Sequence, residues 1–390
     1  MTKIIINAVS AKSGGAATYI YNLACELAKA KPSYQYIFYV PPSQVKTMQS
    51  LGDHVTVVAT DVGCKSSWLR FLWDQVILRQ IVKREKIDVL LSSSDFGMFF
   101  PACRQILMIR NTLFFSQSYI KKILPYKSWR FKLEFLFRPW LISLSAKSSD
   151  VILTASQSIL NDVQRFIAIP HGKAVVNYFG VPLEKFRAKR WKSDQSQDGS
   201  LRMLYVSEYS DYKNLTTLLK AILVLKKQAN NDFSLTTTMH PDQFPDVEIV
   251  TRHEDLDLAS RPDIASCVNF TGAIPYEQIP KLYQEADVFV FPSLAESFGH
   301  PLVEAMASGL PVIASDIPIC HEICGDAAVY FSPLDPQDLA DKITMLKNNL
   351  ELRVQLGQIG RKRAETQFDW KDHIRWLVET IEKVAANERA

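Results

Sequence analysis

Short runs of β-branched and aromatic residues alternate with stretches of helical periodicity along this chain, and the alternation occurs twice. In the first half the strand-like runs are Lys3–Val9, Tyr36–Val40, Val55–Ala59, Asp88–Ser92, Gln105–Ile109 and Val151–Thr154, with helical patterns over Ala17–Ala30 and Trp68–Lys86. Such alternation predicts parallel strands joined by helical crossovers, which is a doubly wound sheet. The pattern restarts with strands at Leu201–Val206, Ser234–Met239, the run before Ser293 and Pro311–Ala314, and helices at Leu215–Gln228, Glu277–Ala286 and Pro336–Asn349. Two such units predict an α/β protein of two doubly wound domains facing a cleft. A chain of 390 residues is long enough for each to bury its own core. The polar run Lys189–Ser200 predicts an exposed loop near the boundary between them.

Composition excludes several classes. With 47% hydrophobic and 22% charged residues, the chain is not disordered in bulk. A net charge of +4 is too small to argue for nucleic acid as a partner. Of six cysteines only Cys320 and Cys324 are close in sequence, and there is no Cys-x-x-Cys pair. That predicts no zinc site and a reduced, cytoplasmic compartment. The first residues lack a signal-peptide core, and no run of about 18 apolar residues suggests a membrane span.

The richest chemistry is predicted at Phe291–Gly309, FPSLAESFGHPLVEAMASG. Its first residues end a buried strand that stops at Pro292. Pro301 suits the first helical position, and Gly309 suits the residue past the helix end. Glu296 then falls on the strand-to-helix loop, and Glu304 projects from the start of the helix. The backbone amides of Gly299, His300, Leu302 and Val303 would point from an open helix N-terminus, a ready anion site. Two hydroxyl acceptors flanking an anion hole describe a pocket for a sugar carried on a phosphate. On pattern alone, a capped surface helix with solvated glutamates explains the same residues.

The run ESFGHPLVEAMASGLPVIASD resembles the signature of the family 4 retaining glycosyltransferases, which carry two glutamates separated by seven residues. Glu296 and Glu304 have that separation. The resemblance implies a GT-B fold of two Rossmann-like domains, with residues 1–182 binding the acceptor and 183–366 binding a nucleotide sugar. Residues 367–390, opening at Phe368-Asp-Trp370, would form a helix that crosses back to the first domain. It further implies that Glu304 accepts the ribose hydroxyls and that Glu296 holds the donor sugar. Ser297, Phe298, Gly299, His300, Pro301 and Leu302 would line the donor, and Ile274, in Phe270–Gln278, would border the base.

Other motifs are read against the same pattern. Gly14 and Gly15 follow the first strand and open the first helix, where the backbone can approach a phosphate; a plain turn explains them as well. Lys213, in LYVSEYSDYKN, stands where the family places a lysine that neutralises the departing diphosphate. The family's arginine is replaced by Glu208 and the glycine before it by Ser207. A carboxylate facing phosphate would repel it, so either Glu208 turns away or a cation such as Arg110 compensates. Arg110, Asn111 and Asp95 follow buried strands at their C-terminal ends, where open α/β sheets bind ligands, and they are candidate acceptor or sugar contacts. Loop capping is the simpler account of Asp95.

Asp255-Leu-Asp257 has the Asp-x-Asp spacing of metal-dependent sugar transferases but reads as a solvated loop, and no metal or other cofactor is expected. Lys121–Trp140 mixes six cations with six aromatic residues, a composition suited to a membrane interface. A helix packed on the core by its aromatic side explains the same residues, and the local pattern does not decide: Arg130–Phe135 alternates like a strand, and Pro139 would interrupt any long helix. The resulting expectation is a cytoplasmic, metal-independent, retaining transferase of a hexosyl type. It would move a sugar from a UDP- or GDP-sugar to a saccharide or lipid-linked saccharide, with peripheral contact to the inner face of the cell membrane through 121–140. The competing expectations are a non-catalytic sugar-nucleotide-binding subunit, kept open by Glu208, and a GT-B epimerase or phosphorylase.

Overall fold

The structure, a computed structural model, describes residues 2–386 apart from 13, 30–33, 49–50, 66, 94, 112, 190, 192–199, 229–231 and 245–248. The polar loop expected at Lys189–Ser200 falls largely outside the described residues. The chain divides into two compact units. One comprises Met1–Phe115, Arg130–Tyr178 and Lys371–Ala390, and the other Ser116–Trp129 and Phe179–Trp370.

In the first unit the described strands are β1 (Thr2–Asn7), β2 (Tyr34–Val40), β3 (Val55–Ala59), β4 (Val89–Ser92), β5 (Arg104–Ile109), β6 (Val151–Thr154) and β7 (Ala174–Val176). They form one sheet in the order β3-β2-β1-β4-β5-β6-β7, parallel throughout. β4 and β6 are buried at every position, as strands covered by helices on both faces must be. Strand order reverses between β1 and β4, which makes their carboxyl ends a switch point where ligands bind in such sheets. The C-terminal helix Trp370–Ala385 is tied into this unit. Tyr34 donates to Glu382 at 2.9 Å, and the Tyr19 hydroxyl meets His373 Nε2 at 3.0 Å.

The second unit repeats the plan. Its strands are β8 (Leu201–Tyr205), β9 (Phe233–Thr237), β10 (Val268–Phe270), β11 (Val288–Phe291), β12 (Val312–Ser315) and β13 (Ala328–Phe331). They are parallel and ordered β10-β9-β8-β11-β12-β13. The switch point lies between β8 and β11, so its crevice opens beyond Tyr205 and Phe291.

One open reading is settled and one expectation is corrected. Residues Trp129–Ser148 form one helix with Pro139 inside it, not a strand or a broken helix. Phe135, Ile142, Ser145 and Ala146 recur at helical spacing and are buried. That packing outweighs both the local alternation and the amide hydrogen bond that proline removes. Asp255 and Asp257 lie on the helix Arg252–Ala259 rather than on a loop. Asp255 is buried, and it accepts hydrogen bonds from Tyr209 (2.6 Å), Thr216 (2.5 Å) and Thr251 (2.8 Å). Those three hydroxyls commit its carboxylate to holding β-sheet loops and helices together.

Candidate active site

The site in the second unit is built by two loops at the β8/β11 switch. After β8 the chain makes a 3-10 turn over Asp211–Lys213, and Asn214 then adopts a left-handed conformation (φ 57°) before the helix Leu215–Lys227. Three bonds lock this turn. The Tyr205 hydroxyl donates to the Lys213 carbonyl (2.7 Å), Asn214 Nδ2 donates to the Pro292 carbonyl (2.9 Å), and the Leu294 amide donates to the Tyr212 carbonyl (2.7 Å). The loop leaving β11 is thereby stitched to the turn leaving β8, which brings Lys213 to Glu296.

The Lys213 ammonium meets Glu296 Oε2 at 2.5 Å, and the two side chains are only 12% and 14% exposed. Burial alone would lower the pKa of this lysine. The facing Glu296 carboxylate, with the Tyr212 and Tyr205 phenols, outweighs burial and holds the value above the ordinary lysine range. The ammonium also lies 5.1 Å from the Tyr212 ring and 5.7 Å from that of Phe291. Glu296 accepts the Ser297 amide on its other oxygen at 3.1 Å.

The helix that follows is His300–Ala307, capped by Gly299 at φ 83°. A Cβ at Gly299 would stand 2.9 Å from Leu302 Cδ1, the end of a side chain that can shift, so it is the backbone angle that requires glycine. Pro301 is the second helical residue rather than the first. The Leu302 and Val303 amides turn back to the Gly299 carbonyl, at 2.9 and 3.5 Å, so they do not point outward as the open helix end predicted. The side chains of Phe298 and Leu302 are in the core. Phe298 packs edge-on against Phe179 and Phe368, and His300 stacks on Phe179 at 5.4 Å. Contact between a ligand and Phe298 or Leu302 is therefore left to main-chain atoms.

Glu304 projects from the same helix and is 5% exposed. Burial pushes its carboxyl up to about 7, against the hydrogen bonds from Tyr283 and Tyr276 that favour the charged form. Tyr283 donates to Oε2 at 3.0 Å and Tyr276 to Oε1 at 3.3 Å. Neither tyrosine is evident from sequence spacing, because Tyr283 falls on the apolar side of a helical pattern and reads as core. Ile274 is half-buried in the loop that leads to Tyr276. Gln243 fixes that loop by accepting the Ala273 amide at 3.0 Å beside Gly272 (φ 73°). Glu208 is exposed and its carbonyl accepts from Ser207 Oγ.

The remaining candidates lie in the first unit. Gly14 and Gly15 open the helix Gly14–Lys29 beyond β1, with Gly15 exposed. Ser13 is outside the described residues. Asp95 caps the loop after β5: its carboxylate accepts the Arg110 and Asn111 amides at 2.7 and 2.9 Å, which brings all three candidates together. Asn111 Oδ1 in turn accepts the Leu113 amide. The Arg110 guanidinium stacks 4.7 Å over Tyr19, and burial lowers its pKa. Tyr19 leads on to His373, whose imidazole burial drives down to about 3 and so keeps neutral. His373 comes from the C-terminal helix, and its distance in sequence hid it from motif reading. Among the described residues no group of three His, Cys, Asp or Glu side chains is arranged to hold a metal.

Two doubly wound sheets, each with a switch point, define the GT-B class of α/β protein. A sucrose-phosphate synthase from Thermosynechococcus elongatus shares the fold with a TM-score of 0.79 at 16% identity, covering 100% of both chains. Anabaena HepE, solved in complex with UDP-glucose, shares it with a TM-score of 0.74 at 16% identity over 98% of this chain and 100% of that one. Two family descriptions match in succession: Glycosyltransferase Family 4 over residues 13–185 and Glycosyl transferases group 1 over residues 187–363. The chain belongs to the group 1, family 4-like glycosyltransferases. The O-antigen chain mannosyltransferase RfbU of Salmonella typhimurium is 26% identical over 62% of this chain and 63% of its own. The matched stretch is thus under two thirds of that relative's length.

Proposed function

We propose that this chain is a retaining glycosyltransferase that moves a hexosyl-type sugar from a UDP- or GDP-sugar to a saccharide or lipid-linked saccharide, in surface polysaccharide or glycolipid synthesis, without a metal. The observation that carries this reading is the Lys213–Glu296 pair at the β8/β11 switch, with Glu304 one helical segment further on. A diphosphate entering the switch competes with Glu296 for the Lys213 ammonium. As it takes the lysine, it frees the Glu296 carboxylate to accept hydroxyls of the donor sugar. Negative charge then grows on the leaving phosphate oxygens, where a fixed ammonium stabilises it with little reorganisation. The acceptor hydroxyl attacks from the face the diphosphate leaves, and a phosphate oxygen takes its proton. No side chain is required as general base.

Nucleotide release from a panel of UDP-, GDP- and ADP-sugars, with Glu296→Ala as control, tests the reading. Slow release from one donor, lost in the variant, is the expected result. A donor that binds but never turns over with any acceptor would favour the non-catalytic subunit. With an acceptor present, release of nucleotide together with a lengthened acceptor separates transfer from an epimerase or phosphorylase.

Peripheral membrane contact is part of the proposal. On the helix Trp129–Ser148, Trp129, Leu133, Leu136, Phe137 and Trp140 are exposed at helical spacing, and Arg130 is exposed beside them. Large apolar residues with a flanking cation suit the interface of an anionic bilayer. No described helix is long and apolar enough to cross one. Cosedimentation with anionic but not neutral vesicles, reduced by Leu136→Ser with Trp140→Ser, is expected.

A further inference from the structure

Both carboxylate oxygens of Glu304 are engaged by phenols, and the two phenols are held very differently. Tyr283 is 0% exposed. Its ring packs 5.8 Å from Phe186 and 5.6 Å from Phe289, and its hydroxyl also reaches the Pro301 carbonyl at 3.3 Å. Moving it would open a cavity in a close-packed core. Tyr276 begins the short 3-10 turn Tyr276–Gln278, at the end of the loop that holds Ile274, and is half-buried. Its bond to Glu304 is the longer of the two, 3.3 Å against 3.0 Å. Its ring meets the Lys185 ammonium at 5.5 Å and Phe186 edge-on at 6.4 Å. Of the two partners, only Tyr276 reaches solvent, so it is the one that can swing away from Glu304 without opening the core.

We propose that Tyr276 is a displaceable guard on Glu304: its phenol occupies the acceptor that a ribose hydroxyl of the nucleotide takes over, so that Tyr276 sets ribonucleotide affinity and ribose selectivity. This rests on the reading of Glu304 as the ribose acceptor. The guard keeps a deeply buried carboxylate supplied with a second donor, which such a group requires. A ribose presents two adjacent hydroxyls. One replaces the phenol on Oε1 while Tyr283 keeps Oε2. A ribonucleotide therefore exchanges one hydrogen bond for another and gains less than the contact alone would give. A nucleotide without those hydroxyls leaves Tyr276 in place.

Calorimetric titration of UDP, GDP and ADP into wild type, Tyr276→Phe and Glu304→Gln tests this, together with the 2′,3′-dideoxy form of whichever nucleotide binds. Removing the phenol removes the bond that ribose must displace, so Tyr276→Phe is expected to bind the ribonucleotide about three- to ten-fold more tightly, the worth of one net hydrogen bond. Binding of the dideoxy form should stay within about two-fold, since its complex and the free protein lose the same bond. Weaker ribonucleotide binding by Tyr276→Phe, or an equal change for both forms, would overturn the guard and leave the tyrosine as loop support. Wild-type affinity in Glu304→Gln, or no nucleotide bound by wild type, would instead remove the ribose role of Glu304, and the guard with it.

Discussion

Glu304→Gln should make the protein more stable at alkaline pH while weakening nucleotide binding. The Glu304 carboxyl is buried and displaced from 4.5 to about 7. The folded state therefore binds this proton more tightly than the unfolded chain does. Because the folded pKa is raised, the associated stability is fully present below about pH 4.5 and is lost as pH rises through about 7. At about 1.4 kcal/mol for each pH unit, the displacement amounts to about 3 kcal/mol. Glutamine keeps the shape and can still pair with the Tyr283 and Tyr276 hydroxyls, but it carries no charge to desolvate. The variant and wild type should match in urea unfolding near pH 4.5 and diverge progressively, until at pH 8 the variant leads by up to about 3 kcal/mol. Unfolding followed by circular dichroism at several pH values between these limits measures it. A stability difference that does not change with pH would refute the argument, because it would mean that burying the charge carries no cost. A side chain that lowers stability at working pH is one that a ligand can make worthwhile.

Lys213→Met should lower turnover by about 10²- to 10³-fold, the range for removing one fixed charge-stabilising donor, and steady-state kinetics with the identified donor checks it. Lys127 and Asp211 form a buried ion pair at 2.5 Å that pins the segment Ser116–Trp129 to the turn carrying Lys213. Lys127→Met should cost about 3–5 kcal/mol in urea unfolding, and Lys127→Met with Asp211→Leu should recover most of it. Gly299→Ala should cost about 1–3 kcal/mol from strain at φ 83°, visible as a lowered Tm.

Much of the architecture was legible because period and punctuation are local properties. Val55–Ala59 and Val151–Thr154 match their expected bounds, and the other expected strands lie within two residues at each end. The glutamate-bearing loop and helix were placed correctly because Pro292, Gly299 and Gly309 restrict the backbone whatever surrounds them. The sequence leaves Trp129–Ser148 open because its local alternation competes with a helical stripe that matters only once something packs on it. Asp255 was misread because a charged stretch gives no sign of the three hydroxyls waiting for one of its carboxylates.

The sequence by itself determined two doubly wound sheets and the loops on which Lys213, Glu296 and Glu304 sit. Hydrophobic periodicity and turn chemistry act over a few residues and need no distant partner. Only the tertiary structure decided that Lys213 pairs with Glu296 across 83 positions of sequence, that two tyrosines cap Glu304, and that the Leu302 amide turns inward. Those outcomes depend on which strands become neighbours at the β8/β11 switch. Electrostatic and hydrogen-bond energies are set by distance and burial in the folded chain, and neither is written in the spacing of residues along it.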